Sequence, residues 1–193
     1  MRFEVCSVSA GALPSPPAAV FVAGGNVAHH VAARLPTDIA GLVAVQPFFG
    51  GEASTASELR LRYAPFGEPE RLAWLWRAFL PAGATRDHEA ANVPDAIRRG
   101  GGGGGGGGER QRWRAFPPAV VCVGGWDVHQ DRQRAYAEAL RAAGAEDVGV
   151  AEYPDAIHAF YLFGELADSK NMVADVAGFV NRRAEQLKQR ALD

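Results

Sequence analysis

Apolar residues gather in four short runs, and each run is closed by glycine or proline. Ala19-Val-Phe-Val-Ala23 is rich in β-branched and aromatic side chains and stops at Gly24-Gly25, which predicts a buried strand and a tight turn. Asn26 then offers an N-cap, and Val27, Val31 and Leu35 follow at helical spacing with Ala28 and Ala32 beside them. Gly41-Leu-Val-Ala-Val45 predicts a second strand, closed by Pro47. Residues 48–64 show no regular period. Glu70 to Leu80 is amphipathic, carries Leu72, Trp76 and Phe79, and ends at Pro81. Ala119-Val-Val-Cys-Val123 predicts a third strand, ended by Gly124-Gly125. Asp131 to Ala143 has helical periodicity, with Tyr136, Leu140 and Ala143 on one face and Gly144 as the stop. Val148 to Tyr153 predicts a fourth strand, ended by Pro154. From Ser169 to Leu192, Met172, Val176, Phe179, Val180 and Leu187 form the apolar stripe of a last helix. Its cations, Arg182, Arg183, Lys188 and Arg190, lie toward the end where the helix dipole favours them.

Alternation of strands and helices implies parallel βαβ units. The strands are apolar on both faces, as in a sheet covered by helices on both sides. The fold class is therefore α/β, with a mostly parallel sheet flanked by helices. No element is predicted over residues 1–17, which are expected to be disordered, and the remainder, residues 18–193, reads as one domain. Gly100 to Gly108 is an unbroken glycine tract flanked by Arg98, Arg99, Arg110, Arg112 and Arg114. Such a tract has much backbone entropy to lose and spans roughly 16 Å as a coil. A disordered surface insertion is expected over about residues 98–112. A phosphate-cradling loop would need a following Lys-Ser/Thr and a preceding strand, and both are lacking.

The chain has 193 residues, 48% of them hydrophobic and 22% charged, with a formal net charge of −2. This balance provides no global field to attract nucleic acid or anionic lipid. Cys6 and Cys122 stand far apart, and Cys122 lies inside an apolar run, so neither a disulfide framework nor a zinc site is suggested. No membrane span or secretory leader is expected. The expected location is the cytoplasm, with the nucleus open.

In a parallel sheet, functional groups gather at the C-terminal ends of strands. The loops there read Ala23-Gly-Gly-Asn-Val-Ala-His-His30, Gly124-Gly-Trp-Asp-Val-His-Gln-Asp131 and Tyr153-Pro-Asp-Ala-Ile-His-Ala-Phe160. Asp127 on one loop and His158 on the next follow the order in which a hydrolase triad supplies its acid and its base. The carboxylate would fix the imidazole tautomer, and the imidazole would take a proton from a nucleophile. Asp131 is expected to cap its helix. His29, His30 and the Asp87-His88 pair are expected to be structural. Trp74, Trp76, Phe79, Phe160, Tyr161 and Phe163 are expected to be core or pocket wall.

The blocks AGGNVAHHVAAR, LVAVQPFFGGE, LWRAFLPAGATRDHEAANV, PPAVVCVGGWDVHQDRQRAYAEAL and EYPDAIHAFYLF occur in order. Together they resemble the plant carboxylesterases, the hormone-sensitive-lipase-like branch that also contains the gibberellin receptor. The resemblance implies a partial α/β-hydrolase fold, with Asp127 as triad acid and His158 as triad base. In that family the first strand runs into Gly-Asp-Ser-Ala-Gly-Gly-Asn, and the serine is the nucleophile. Here Phe21-Val22 leads straight to Ala23-Gly24-Gly25-Asn26. Ala23, Gly24 and Gly25 are thus expected to be the remnant of the nucleophile elbow and of its oxyanion site. Ser7, Ser9, Ser15, Ser54, Ser57 and Ser169 do not sit on a strand-turn-helix elbow. The family's His-Gly-Gly oxyanion loop and its earlier strands are also unmatched, which would leave one sheet edge unpaired.

Three readings follow. The first is a carboxylesterase-family chain with little or no ester turnover, because its serine is missing. The second is a non-catalytic protein that binds a small ester or a hormone-like ligand, although the family's receptor form alters the triad histidine that is kept here. The third is an incomplete gene product, which a longer transcript restoring Gly-Asp-Ser would support. No metal or organic cofactor is implied.

Overall fold

A computed structural model describes residues 19–101 and 107–192. The expectation for residues 1–17, and that for the middle of the glycine tract, lie outside the described residues. Four strands, β1 (Phe21–Gly24), β2 (Gly41–Val45), β3 (Ala119–Trp126) and β4 (Val148–Ile157), form one sheet in the order β1-β2-β3-β4. Every pairing is parallel. The helices are α1 (Asn26–Arg34), α2 (Ala56–Arg60), α3 (Pro69–Phe79), α4 (Val93–Gly101), α5 (Gly107–Arg114), α6 (Gln130–Ala143) and α7 (Ala167–Leu192). Among the described residues no helix is long and apolar enough to cross a membrane.

The strand period of two separates two cores. Leu42, Ala44, Ala119, Val121 and Val123 face one side, where they meet Ala28 and Ala32 of α1, Val93 and Ile97 of α4, and Tyr136 and Leu140 of α6. Val43 and Val120 face the other side and pack on Phe179 of α7, while Cys122 packs with Tyr153, Phe160 and Met172. The bare Gly41 backbone makes this approach possible, since a Cβ there would lie 2.9 Å from the Phe179 ring.

Several elements differ from their sequence signals. Val27 and Leu35 are exposed, and α1 instead buries Ala28, His29 and Ala32. Gly25, not Asn26, caps α1, and the Asn26 side chain donates to Ala90 O at 2.9 Å. A helix, α2, appears in the stretch without periodicity. Thr55 and Glu58 close a capping box there, which holds a helix too short to show a period. The ends of the expected glycine-rich insertion are helical. Val93 and Ile97 on one side, with Trp113 and Phe116 on the other, are buried and anchor α4 and α5.

β3 runs on through Gly124-Gly125 to Trp126, and β4 runs through Pro154 to Ile157, with an irregularity in pairing between Gly124 and Trp126. Pro154 is tolerated because β4 is an edge strand. A Cβ on Gly125 would collide with Pro154 O, and one on Gly124 would lie 2.6 Å from Ala156 O. The paired glycines therefore allow two backbones to close together rather than ending the strand.

Candidate functional site

All four strands point the same way, so the loops that follow them share one edge of the sheet. That edge brings Asp127 and His158 together. Asp127 follows β3 and is fully buried. Its Oδ1 accepts the His129 backbone N–H at 2.9 Å, and its Oδ2 accepts Gln133 Nε2 at 2.8 Å. His158 follows β4, and its Nδ1 lies 2.9 Å from the same Oδ2. Burial pushes the Asp127 carboxyl upward in pKa, but the hydrogen bond and charge of His158, with help from His129, outweigh it and hold the group below its ordinary value. An ionised carboxylate only accepts, so His158 Nδ1 carries a proton and donates it to Asp127. The His158 side chain keeps 22% exposure.

A second imidazole stands next to it. The His129 and His158 rings lie 5.5 Å apart, and Phe48 covers His129 at 4.7 Å. Burial lowers the His129 pKa to about 4, so the ring stays neutral at physiological pH. Its Nδ1 is buried without a hydrogen-bond partner.

Ala23 and Gly24 end β1, and Gly25 caps α1. Ala23 is exposed, and Gly24 has φ +143, a conformation that favours glycine. A Cβ on Gly25 would touch Pro47 and the Phe48 backbone at 3.6 Å. Gly25 thus abuts the loop after β2, and Phe48 in turn packs on His129.

Two glutamines were not marked by sequence reasoning. Gln133 is fully buried and donates to Asp127; its signal was a polar residue three and four positions before the core residues Tyr136 and Ala137. Gln46 is buried at the end of β2 and donates to Ile157 O while accepting from Ala159 N–H. A polar residue directly after a fully apolar strand was its signal. Asp131 does not cap α6, whose N-cap is His129; it accepts the Ser57 backbone N–H at 2.7 Å.

The remaining candidates have structural roles. His29 meets the Tyr136 hydroxyl at 2.9 Å, with its pKa lowered to about 3 mainly by burial, and His30 contacts Ala90 O. Asp87 accepts from Glu52 N–H and from Asn92 Nδ2, which orders its loop. Burial pushes the Cys122 thiol up to about 12, so it behaves as a small apolar group. Trp76 and Phe160 are core, whereas Trp74, Phe79, Tyr161 and Phe163 are exposed. Among the described residues no group of three or more His, Cys, Asp or Glu side chains is placed to hold a metal ion.

Residues 17–162 match a protein family described as alpha/beta hydrolase fold. The gibberellin receptor GID1A of Arabidopsis thaliana is 36% identical over 161 residues, covering 82% of this chain and 44% of that protein. Carboxylesterase 20 of the same plant is 34% identical over 137 residues, covering 65% of this chain and 39% of that protein. The chain thus spans less than half the length of these relatives. In three dimensions it superposes on a fungal esterase from Rhizomucor miehei with a TM-score of 0.71 at 20% identity, covering 91% of this chain and 53% of that one.

Proposed function

Since the chain belongs to the α/β-hydrolase fold family, in its carboxylesterase-like part, we propose that Asp127 and His158 are the acid and base of an ester-hydrolase triad whose serine this chain lacks. The observation that carries the reading is the 2.9 Å contact between His158 Nδ1 and a buried, ionised Asp127. The geometry supports a base poised to take a proton at Nε2. It also supports the missing partner. The Ser57 and Ser169 hydroxyls are engaged elsewhere, donating to the carbonyls of Val128 and Phe160. Val22 passes directly into Ala23 where a nucleophile would stand.

The consequence is low ester turnover. Removing a triad nucleophile costs on the order of a million-fold, and an oxyanion site alone leaves roughly a thousand-fold over water. Purified chain should hydrolyse a short-chain p-nitrophenyl ester no faster than its His158→Ala variant, with far-ultraviolet circular dichroism showing both folded. Turnover that is clearly faster in the parent chain would sink the inactive reading and reveal another nucleophile. The similarity to gibberellin receptors favours a second reading, a small-ligand binding protein. Saturable binding of a gibberellin by the folded, inactive chain would select it.

A further inference from the structure

Both backbone groups that flank His158 end on one side chain. The Ile157 carbonyl accepts Gln46 Nε2 at 3.0 Å, and the Ala159 N–H donates to Gln46 Oε1 at 2.7 Å. Gln46 is 2% exposed, so water does not compete for either bond. We infer that Gln46 is a positioning residue, which clamps the loop on both sides of His158 and so holds Nδ1 on Asp127.

The surrounding backbone is built for this clamp. Gln46 has φ 38 and Ala159 has φ 60, a left-handed region that non-glycine residues seldom enter. Such conformations persist where the surroundings over-determine them. Here the two unusual residues are joined to each other through the Gln46 amide. The Gln46 backbone N–H is fixed as well, donating to Cys122 O at 3.1 Å. Space for the amide comes from β3, because a Cβ on Gly124 would lie 2.7 Å from Gln46 Nε2. The amide's two ends also differ in chemistry: one donates and one accepts. The clamp therefore fixes a single orientation of the loop. Without it, among the described residues no β2 side chain hydrogen-bonds the 157–159 segment, and the ring keeps Asp127 as its hydrogen-bond partner beside ring contacts with His129 and Phe66.

The inference rests on the acid–base reading of Asp127 and His158, but its readout is the His158 ring and not ester turnover. The test is nitrogen-15 NMR of histidine-labelled full-length chain, in which the Nδ1–H signal of His158 is assigned by its loss in His158→Gln. Gln46→Met keeps the side-chain volume and removes both polar ends. The expected result is loss of the Nδ1–H signal, or its replacement by a mixture of tautomers, while the His29 resonances stay in place. An unchanged Nδ1–H signal in a folded Gln46→Met chain overturns the inference. Should that variant not fold, amide exchange of the parent chain decides: Ala159 N–H protected well beyond an open loop supports the clamp, and exchange at the open-loop rate overturns it.

Discussion

Arg132 shows how much of the site's architecture one side chain can hold. It is nearly buried, and its guanidinium donates to both Glu58 oxygens and to the carbonyls of Gly50, Gly51 and Ala53. Gly51 is required beside it, because a Cβ there would collide with the guanidinium. The fork thus pins the whole 50–58 loop to the first turn of α6, directly beside Asp127. Replacing such a buried pair by apolar groups can be harmless, but removing one partner strands the other. Arg132→Met should therefore destabilise by roughly 3–5 kcal/mol, leaving the Glu58 carboxylate and several carbonyls without partners. Urea unfolding followed by circular dichroism measures this. A midpoint within error of the parent chain would mean that the cluster contributes nothing. The exposed Arg86–Glu52 and Lys188–Glu185 pairs offer the contrast, since pairs of that kind contribute little.

At the scale of elements, clean apolar runs and periods were legible in the sequence and mixed ones were not. β2, α6 and α7 lie where their runs put them, because their apolar stripes face cores that the sheet itself creates. The ends of β3 and β4 were hidden: Gly124-Gly125 and Pro154 read as stops, yet they serve an intimate strand pairing that only the tertiary fold reveals. In α1 the larger residues Val27 and Leu35 drew the stripe to the wrong face, because small Ala28 and Ala32 are what fits against β2 and β3. Asp127 and His158 were legible from loop order and from the resemblance. Gln46 and Gln133 were not, since a glutamine's partners lie on other strands and helices. For α2 the only sequence signal was Thr55-x-x-Glu58. Thr55 Oγ1 accepts Glu58 N–H at 3.2 Å, and Glu58 Oε2 accepts Thr55 N–H at 2.8 Å. Thr55→Ala should cost about 1 kcal/mol, read as a shift in the urea midpoint. A larger loss would mean that the first turn of α2 also steadies Glu58 against Arg132, since Glu58 serves both contacts.

For the whole molecule, one face of the sheet and the edge that follows its strands share one electrostatic property: buried histidines kept neutral. His29 lies in the core beneath α1 with its pKa lowered to about 3, and His129 lies at the edge with its pKa lowered to about 4. Burial is the leading cause in both. An unfolded chain protonates each near 6.5, while the folded chain does so only below about 4 and about 3. As pH falls below about 6.5, the unfolded state therefore takes up protons that the native state refuses, and stability drops. Asp127 acts in the same direction at still lower pH. Its folded value is depressed, so the stability it contributes above its ordinary value is lost as pH falls through the folded one. Between about pH 6 and pH 4 the two histidines together should cost up to roughly 2.7 kcal/mol per pH unit. Urea midpoints taken across that range should fall steadily. His129→Leu, which fills the same place without a titrating ring, should roughly halve the slope. A midpoint that stays level from pH 7 to pH 4.5 would mean that these rings can be protonated in place, and the dry packing around His29 and His129 would have to be abandoned with it.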